Sequence, residues 1–222
     1  MKRVAISELL DTDSGTPAEI ASSLSDLRRI NRWFGGLATT QALIEHVSTR
    51  LGSRSLSLLE VAAGPSQVPE VVRARLQKRQ IEIKVTLLDR AASHLRSSNG
   101  SEAVVGDALA LPFANASFDL VGSCLFVHHL APREVVQFVN EGLRVCRVAV
   151  LINDLIRHPT HLALVQAGQL LYRSRITRHD APASVRQAYT PDEMLDLLRQ
   201  SNAARTEMSR HFLFRMGVVI WK

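Results

Sequence analysis

Residues 55–89 read SLSLLEVAAGPSQVPEVVRARLQKRQIEIKVTLLD, and the period of their apolar residues changes twice. SLSLLEVAA is a strand-like run that closes on an acid, two alanines and Gly64. VPEVVRARLQKR then spaces its apolar residues three and four apart, as one helix face requires, before IEIKVTLLD returns to strand type and again ends on an acid. A strand, a crossover helix and a second strand make a βαβ unit, in which the strands are parallel and the helix covers one face of their sheet.

The alternation continues on both sides. EAVVGD (102–107), FDLVGSCLFV (118–127) and RVAVLIND (147–154) read as strands, with RAASHLRSS (90–98) and APREVVQFVNEGLRVC (131–146) as helices between them. This order predicts an α/β fold whose sheet is covered on both faces. HLALVQAGQLLYRSR (161–175) predicts a long helix, and Thr190, Pro191 and Glu193 open a capped one. RTEMSRHFLF (205–214) and GVVIWK (217–222) are close enough to pair antiparallel. Before the sheet, Thr16, Pro17 and Glu19 start a helix with Ile20, Leu24, Leu27 and Ile30 on one face, and WFGG (33–36) breaks it. A second helix runs through Leu43, Ile44 and Val47 to a stop at Gly52. The expectation is a single domain, 1–222, with 1–52 as an N-terminal helical lid and 53–222 as its core.

The totals set broad bounds. With 222 residues, 46% of them hydrophobic, the chain has material for one ordinary core. No apolar run approaches the ~20 residues of a membrane span, and MKRVAISELLDTD has no secretory apolar region, so a cytoplasmic location is expected. Cys124 and Cys146 suit a reducing compartment and form no metal-ligand spacing, so no metal is expected. The net charge of +6 permits an anionic partner, but arginine-rich composition alone selects none, and no stable nucleic-acid partner is expected.

In open α/β sheets ligands bind beyond the carboxyl ends of the strands. Three successive strands here finish on Glu60, Asp89 and Asp107, with Gly64 in the first turn. An acid ending the second strand can accept hydrogen bonds from both ribose hydroxyls, and a glycine lets backbone approach a ligand closely. The pattern suggests a nucleoside ligand; the plainer reading is that aspartate favours turns.

On these residues the sequence resembles the class I S-adenosylmethionine-dependent methyltransferases, particularly the small-molecule group that includes quinone-biosynthesis enzymes. The resemblance spans roughly residues 58–198. LLEVAAGPS stands at the family's acid and G-x-G turn, VTLLD at its ribose-binding strand, and VVGDALALPFANASFDLVGSCLFVHHL at its adenine-contact acid and fourth strand. It implies a Rossmann-like, seven-stranded, mostly parallel sheet with an antiparallel C-terminal strand, and S-adenosylmethionine as cofactor, leaving as S-adenosylhomocysteine. Glu60, Ala62 and Gly64 would meet its methionine end, Asp89 its ribose, and Asp107 and Ala108 its adenine, with Arg90 and Ser123 as further cofactor-binding residues. Ala62 and Ser66 depart from the family's glycines, and Ala62 is expected to keep φ negative. The ligand has no phosphate, so the turn need not form an anion cradle. A dehydrogenase is disfavoured because G-x-G-x-x-G is absent.

Methyl transfer needs an aligned, deprotonated nucleophile. His128 and His129, just past the fourth strand, are the candidate bases; adjacent side chains rarely point the same way, so at most one should act. Cys124 reads as a small buried hydrophobe before it reads as a covalent nucleophile. No Asn-Pro-Pro-Tyr type motif of amino-methylating enzymes is found. Asn153 and Arg157, with Asp154 and His158, end the fifth strand and either bind substrate or cap the next helix. Trp33 and Phe34 either form an aromatic wall hinged on Gly35 and Gly36 or staple into the core. Arg173, Arg175, Arg178, His179 and Arg186 gather near the end of the expected long helix, where its dipole favours them. The expected activity is methylation of oxygen, with carbon second, on a small aromatic, quinone-like or polyketide-type acceptor. The rivals are a non-catalytic cofactor-binding or regulatory module and an RNA methyltransferase; oligomeric state is left open.

Overall fold

The computed structural model describes residues 1–12, 14–64, 67–92, 95 and 101–222. Two helices, α1 (Pro17–Trp33) and α2 (Gly36–Leu51), precede β1 (Ser55–Val61), α3 (Gln67–Gln77), β2 (Glu82–Asp89) and β3 (Glu102–Val105). β4 (Phe118–Cys124), α4 (Pro132–Val145) and β5 (Cys146–Leu155) follow. The chain continues through α5 (Pro159–Ala167), α6 (Arg175–Gln187) and α7 (Pro191–Leu198) to the pair β6 (Arg205–His211) and β7 (Arg215–Trp221). The helix expected over 90–98 falls largely outside the described residues.

The seven strands form one sheet in the order β3-β2-β1-β4-β5-β7-β6. β1 to β5 are parallel, and β7 runs antiparallel to both of its neighbours, β5 and β6. This is the Rossmann-like sheet with an antiparallel strand near its C-terminal edge, preceded by helices. Alternation along each strand builds a core on either face. Leu58, Leu87, Leu120 and Val219 pack with Leu43, Ile44 and Val47 of α2 and Val72 and Leu76 of α3. Their chain neighbours Leu59, Leu88, Val121 and Val218 pack with Phe138, Val139 and Leu143 of α4 and Met194 and Leu198 of α7. Each of these large side chains contributes about 1.5–3 kcal/mol by leaving water. α2 is therefore a sheet-covering helix, and of the segment 1–52 the residues that reach the cavity described below come from α1, its C-cap Phe34 and the chain before it.

The capped starts form as their residues dictate. The Thr16 hydroxyl accepts the Glu19 N–H at 3.3 Å while Glu19 accepts the Thr16 N–H at 2.8 Å, and Thr190 with Glu193 repeats the arrangement. α2 ends at Gly52 with φ 63°, the left-handed stop that glycine adopts without strain.

The long helix expected over 161–175 is two. α5 ends at Ala167, and α6 begins only at Arg175, where the Ser174 hydroxyl accepts the Ile176 N–H. Its sequence conceals it, because Pro182 sits inside and removes one helical N–H. The Arg178 carbonyl freed by that loss accepts from the Gln169 amide at 3.4 Å. Arg173, Arg175 and Arg178 consequently cluster at the start of a helix, where the dipole opposes them, and only Arg186, in the last turn of α6, has the expected dipole benefit. Carboxylates of α1 compensate: Glu19 pairs with Arg175, and Asp26 accepts the Arg173 and Ser174 N–H groups at 2.8 and 3.0 Å.

Candidate active site

Strand order reverses between β1 and β4, and Val61 pairs with Ser123 at their carboxyl ends. This is the crevice where open α/β sheets bind ligands. One side is a rim built from three strand ends. The Ala63 N–H donates to the Leu88 carbonyl at 3.0 Å, and the Gly64 N–H to one Asp89 carboxylate oxygen at 2.9 Å. The other Asp89 oxygen accepts the Ala91 N–H, and the Asp89 carbonyl accepts the Gly106 N–H at 3.0 Å. Asp107 folds its own turn by accepting the Leu109 N–H at 2.9 Å, beside half-buried Ala108. Arg90 is exposed and reaches the Asp11 carbonyl at 3.5 Å.

Ala62 corrects the expectation of negative φ: its φ is +53°. The turn requires a left-handed residue directly after β1 and imposes it on a side chain, at a cost of about 1–2 kcal/mol that a glycine would not incur. Gly64 is also left-handed at +51°, and a Cβ there would meet nothing within 4 Å, so open space lies over the turn. Ser66 lies outside the described residues. Deeper in, Glu60 is buried, and burial pushes its carboxyl up to about 8. The Ser123 hydroxyl is buried with no partner among the described residues. Open backbone, an acid without a counter-ion and a hydroxyl without a partner among the described residues fit a ligand with a cationic end and further polar groups.

The other side is a cavity of about 410 Å³ walled by α1, α5 and α6, with Leu125, His128 and His129 beyond β4 contributing to its lining. Trp33 and Phe34 line its opening, and the 66% exposure of Trp33 excludes a staple into the core. Gly35 turns the chain at φ +84° against the Phe212 backbone, where a Cβ would lie 1.9 Å from the carbonyl oxygen, so only glycine fits.

The two histidines point together, with ring centroids 4.2 Å apart, contrary to the expectation for adjacent residues. Separate carboxylates hold each ring. Asp154 accepts the His128 backbone N–H at 3.0 Å and pairs with Nδ1 at 2.7 Å, while Nε2 lies 3.6 Å from Glu8. Burial alone would lower His128; the charge and hydrogen bond of Asp154, then those of Glu8, raise it to about 10. It is therefore an imidazolium at neutral pH. For Glu8 and Asp154 burial works upward and is outweighed by His128, so both stay below their ordinary range. His129 is less enclosed and pairs through Nδ1 with Asp11 at 2.9 Å. Burial works upward on Asp11 as well, but the hydrogen bond and charge of His129, together with the charges of His128 and Arg90, outweigh it and hold the carboxyl below its ordinary range.

Asn153 and Arg157 do not line the cavity. Asn153 is buried, donating to the Gly36 carbonyl and the Thr40 hydroxyl, each at 2.8 Å. Arg157 ties the Met1 and Ala188 carbonyls to Glu193. The polar cluster after β5 thus splits: Asp154 orients His128, and His158 caps α5. Cys124 is half-buried, and burial pushes its thiol up to about 12, which disfavours the thiolate a covalent role needs. Sequence reasoning missed Glu8, Asp11 and Arg215. Arg215, fully buried, joins the Phe34 carbonyl, Asn31 and Asn153 beneath the cavity opening. A polar N-terminal segment carries no periodic signal that would mark its acids.

The comparisons with known proteins agree with this geometry. Residues 59–151 match the family model described as a methyltransferase domain. No curated protein sequence matches the chain. Among solved structures, the plantazolicin methyltransferase BpumL, in complex with a triazolic desmethylPZN analog and SAH, superposes with a TM-score of 0.69 at 12% identity, covering 96% of this chain and 95% of that one. The plantazolicin methyltransferase BamL gives 0.66 at 15% identity, covering 88% and 89%. Human N-acetylserotonin methyltransferase with SAM gives 0.56 at 14% identity, covering 75% of this chain and 47% of its own. The fold and the family match support S-adenosylmethionine-dependent methyltransferase activity.

Proposed function

We propose that the chain is a single-domain enzyme that transfers a methyl group from S-adenosylmethionine to an oxygen, with carbon second, of a small apolar acceptor of aromatic, quinone-like or polyketide type. The observation that carries this reading is the carboxylate-held pair His128–His129 at an apolar cavity beside the Glu60–Asp89 rim. The plantazolicin methyltransferases, solved with desmethylPZN analogs and SAH, support a natural-product-like acceptor.

Glu60, Ala62, Gly64, Asp89, Arg90, Asp107, Ala108 and Ser123 would hold the cofactor, with Glu60 regaining its charge against the ammonium end. Once bound, the cofactor supplies an electrophilic methyl group on a sulfonium. The acceptor enters past Trp33 and Phe34 and is aligned by the apolar walls. His129 removes the acceptor's hydroxyl proton at Nε2 while Asp11 keeps Nδ1 protonated. His128, held as a cation, stabilises the oxyanion that results. Turnover with a panel of phenolic and enolic acceptors tests this reading. Product from wild type and its loss in His129→Ala, with cofactor affinity kept, is expected; cofactor binding with no turnover on any acceptor would instead support the non-catalytic module. No helix among the described residues is long and apolar enough to cross a membrane, and the cytoplasm is the proposed location.

A further inference from the structure

Three residues of the cavity wall do more than general-base chemistry requires. Glu8, His128 and His129 each offer one donor atom, and these atoms all lie within 4.8 Å of one another. The group comes from two places far apart in the chain, and its site is empty. Both imidazoles are already oriented as metal-ligating histidines are, each with Nδ1 on a carboxylate, Asp154 for His128 and Asp11 for His129. With both Nδ1 atoms engaged, Nε2 is the ring atom each histidine has left to ligate, and that of His128 already lies 3.6 Å from Glu8. Glu8 is itself held by the Ser184 hydroxyl at 2.5 Å and the Gln187 amide at 2.7 Å, so its position does not depend on an ion.

The charges around the group point the same way. Three carboxylates, Glu8, Asp11 and Asp154, surround two imidazoles. The guanidinium groups nearby are spent on carbonyls: Arg3 on His128, Leu130 and Gln187, and Arg90 on Asp11. The carboxylates balance the positive charge already present, so an ion that displaces the His128 proton enters a site whose acids are in place, and two histidines with one carboxylate leave coordination positions free.

We infer that Glu8, His128 and His129 form a binding site for a first-row divalent cation, such as zinc or manganese, at the wall of the acceptor cavity. Binding replaces the proton on His128 and draws the three donors inward from their present separations. The role that follows rests on the methyl-transfer reading, with the ion taking over the activation that His129 and His128 supply in the metal-free protein: a hydroxyl or enol acceptor occupies an open position, and the ion lowers its pKa as it does that of bound water, so the acceptor reacts as its anion. The ion is neither oxidised nor reduced; the acceptor proton leaves to solvent or to a displaced carboxylate.

The site can be tested without turnover. Purified full-length protein, stripped with chelator, is titrated with Zn²⁺ by calorimetry and with Co²⁺ by visible absorption, with S-adenosylhomocysteine titrated separately on the same preparation. One equivalent of each metal, with a Co²⁺ ligand-field band, is expected. His129→Ala and Glu8→Gln, checked for folding by circular dichroism, should each abolish stoichiometric binding, while Asp11→Asn should weaken it about tenfold through the ring it orients. No stoichiometric binding by folded wild type, or binding unchanged in both ligand variants, overturns the site. Separately, failed S-adenosylhomocysteine binding with metal binding intact would count against the methyl-transfer reading and leave the site standing.

Discussion

The two sides of the crevice are built on different principles. The rim proposed to hold the methyl donor is made by strand ends and the turns directly after them, and its backbone N–H groups bond to β2: Gly64 to the Asp89 carboxylate, Ala63 to the Leu88 carbonyl and Gly106 to the Asp89 carbonyl. The acceptor side is assembled from the N-terminal segment, the turn after β4, the end of β5 and α6, joined by side-chain bonds such as Glu8 to Ser184, Asp154 to His128 and Asp180 to the Leu9 and Leu10 N–H groups. A rim that depends on the sheet register should tolerate change at the acceptor side, and the converse should also hold. This separation of the halves can be broken by experiment.

The largest effect is expected at His129. His129→Ala should lower turnover about 10²–10³-fold, the range for losing a general base, while affinity for S-adenosylhomocysteine stays within experimental error. A matching loss of cofactor affinity would show that the halves are not separable. Next comes Glu60. Glu60→Gln should weaken the cofactor by about tenfold or more through loss of a buried charge-assisted contact, yet raise the melting temperature of the free protein at pH 8. The sign follows from its raised carboxyl: the folded state retains a proton that the unfolded chain releases at 4.5, so stability falls as pH rises from 4.5 toward 8. An unchanged melting temperature would show that Glu60 already has a partner.

His128 gives a third effect, measured with chelator present. Its folded pKa of about 10 exceeds the ordinary 6.5. The network of His128 with Asp154 and Glu8 therefore stabilises fully below pH 6.5 and is lost as pH rises through about 10. Thermal melts should decline across that window in wild type and flatten in His128→Gln. The smallest effect is at Ala62, where Ala62→Gly should relieve left-handed strain and stabilise by about 1 kcal/mol, reduced by the extra freedom glycine gives the unfolded chain.

The same contrast explains what was legible in the sequence. Strand-end acids and βαβ periodicity are local signals, so Glu60, Asp89 and Asp107 sit at or just past the carboxyl ends of β1, β2 and β3, where their spacing placed them. The sign of φ at Ala62 was not legible, because the chain's need for a left-handed turn overrides the preference of the residue occupying it. The proline inside α6 hid that helix, and with it the placement of Arg173, Arg175 and Arg178 at a helix start while Arg186 stays at a helix end. The pairing of His128 with His129 depends on Asp11 and Asp154, 118 and 26 residues from the histidines they hold, a relation no window of sequence contains. Asn153 and Arg157 misled for the same reason: polar residues at a strand end face the site only if the fold does not already use them as struts.

The central claim is that the β1–β2–β3 rim binds S-adenosylmethionine independently of the cavity beside it. Calorimetric titration of S-adenosylhomocysteine into folded wild type, Asp89→Asn and His129→Ala tests it most directly. The account predicts saturable one-to-one binding to wild type, unchanged affinity for His129→Ala and at least about tenfold weaker binding for Asp89→Asn. No binding to the folded wild-type protein, or equal affinity in Asp89→Asn, would contradict it.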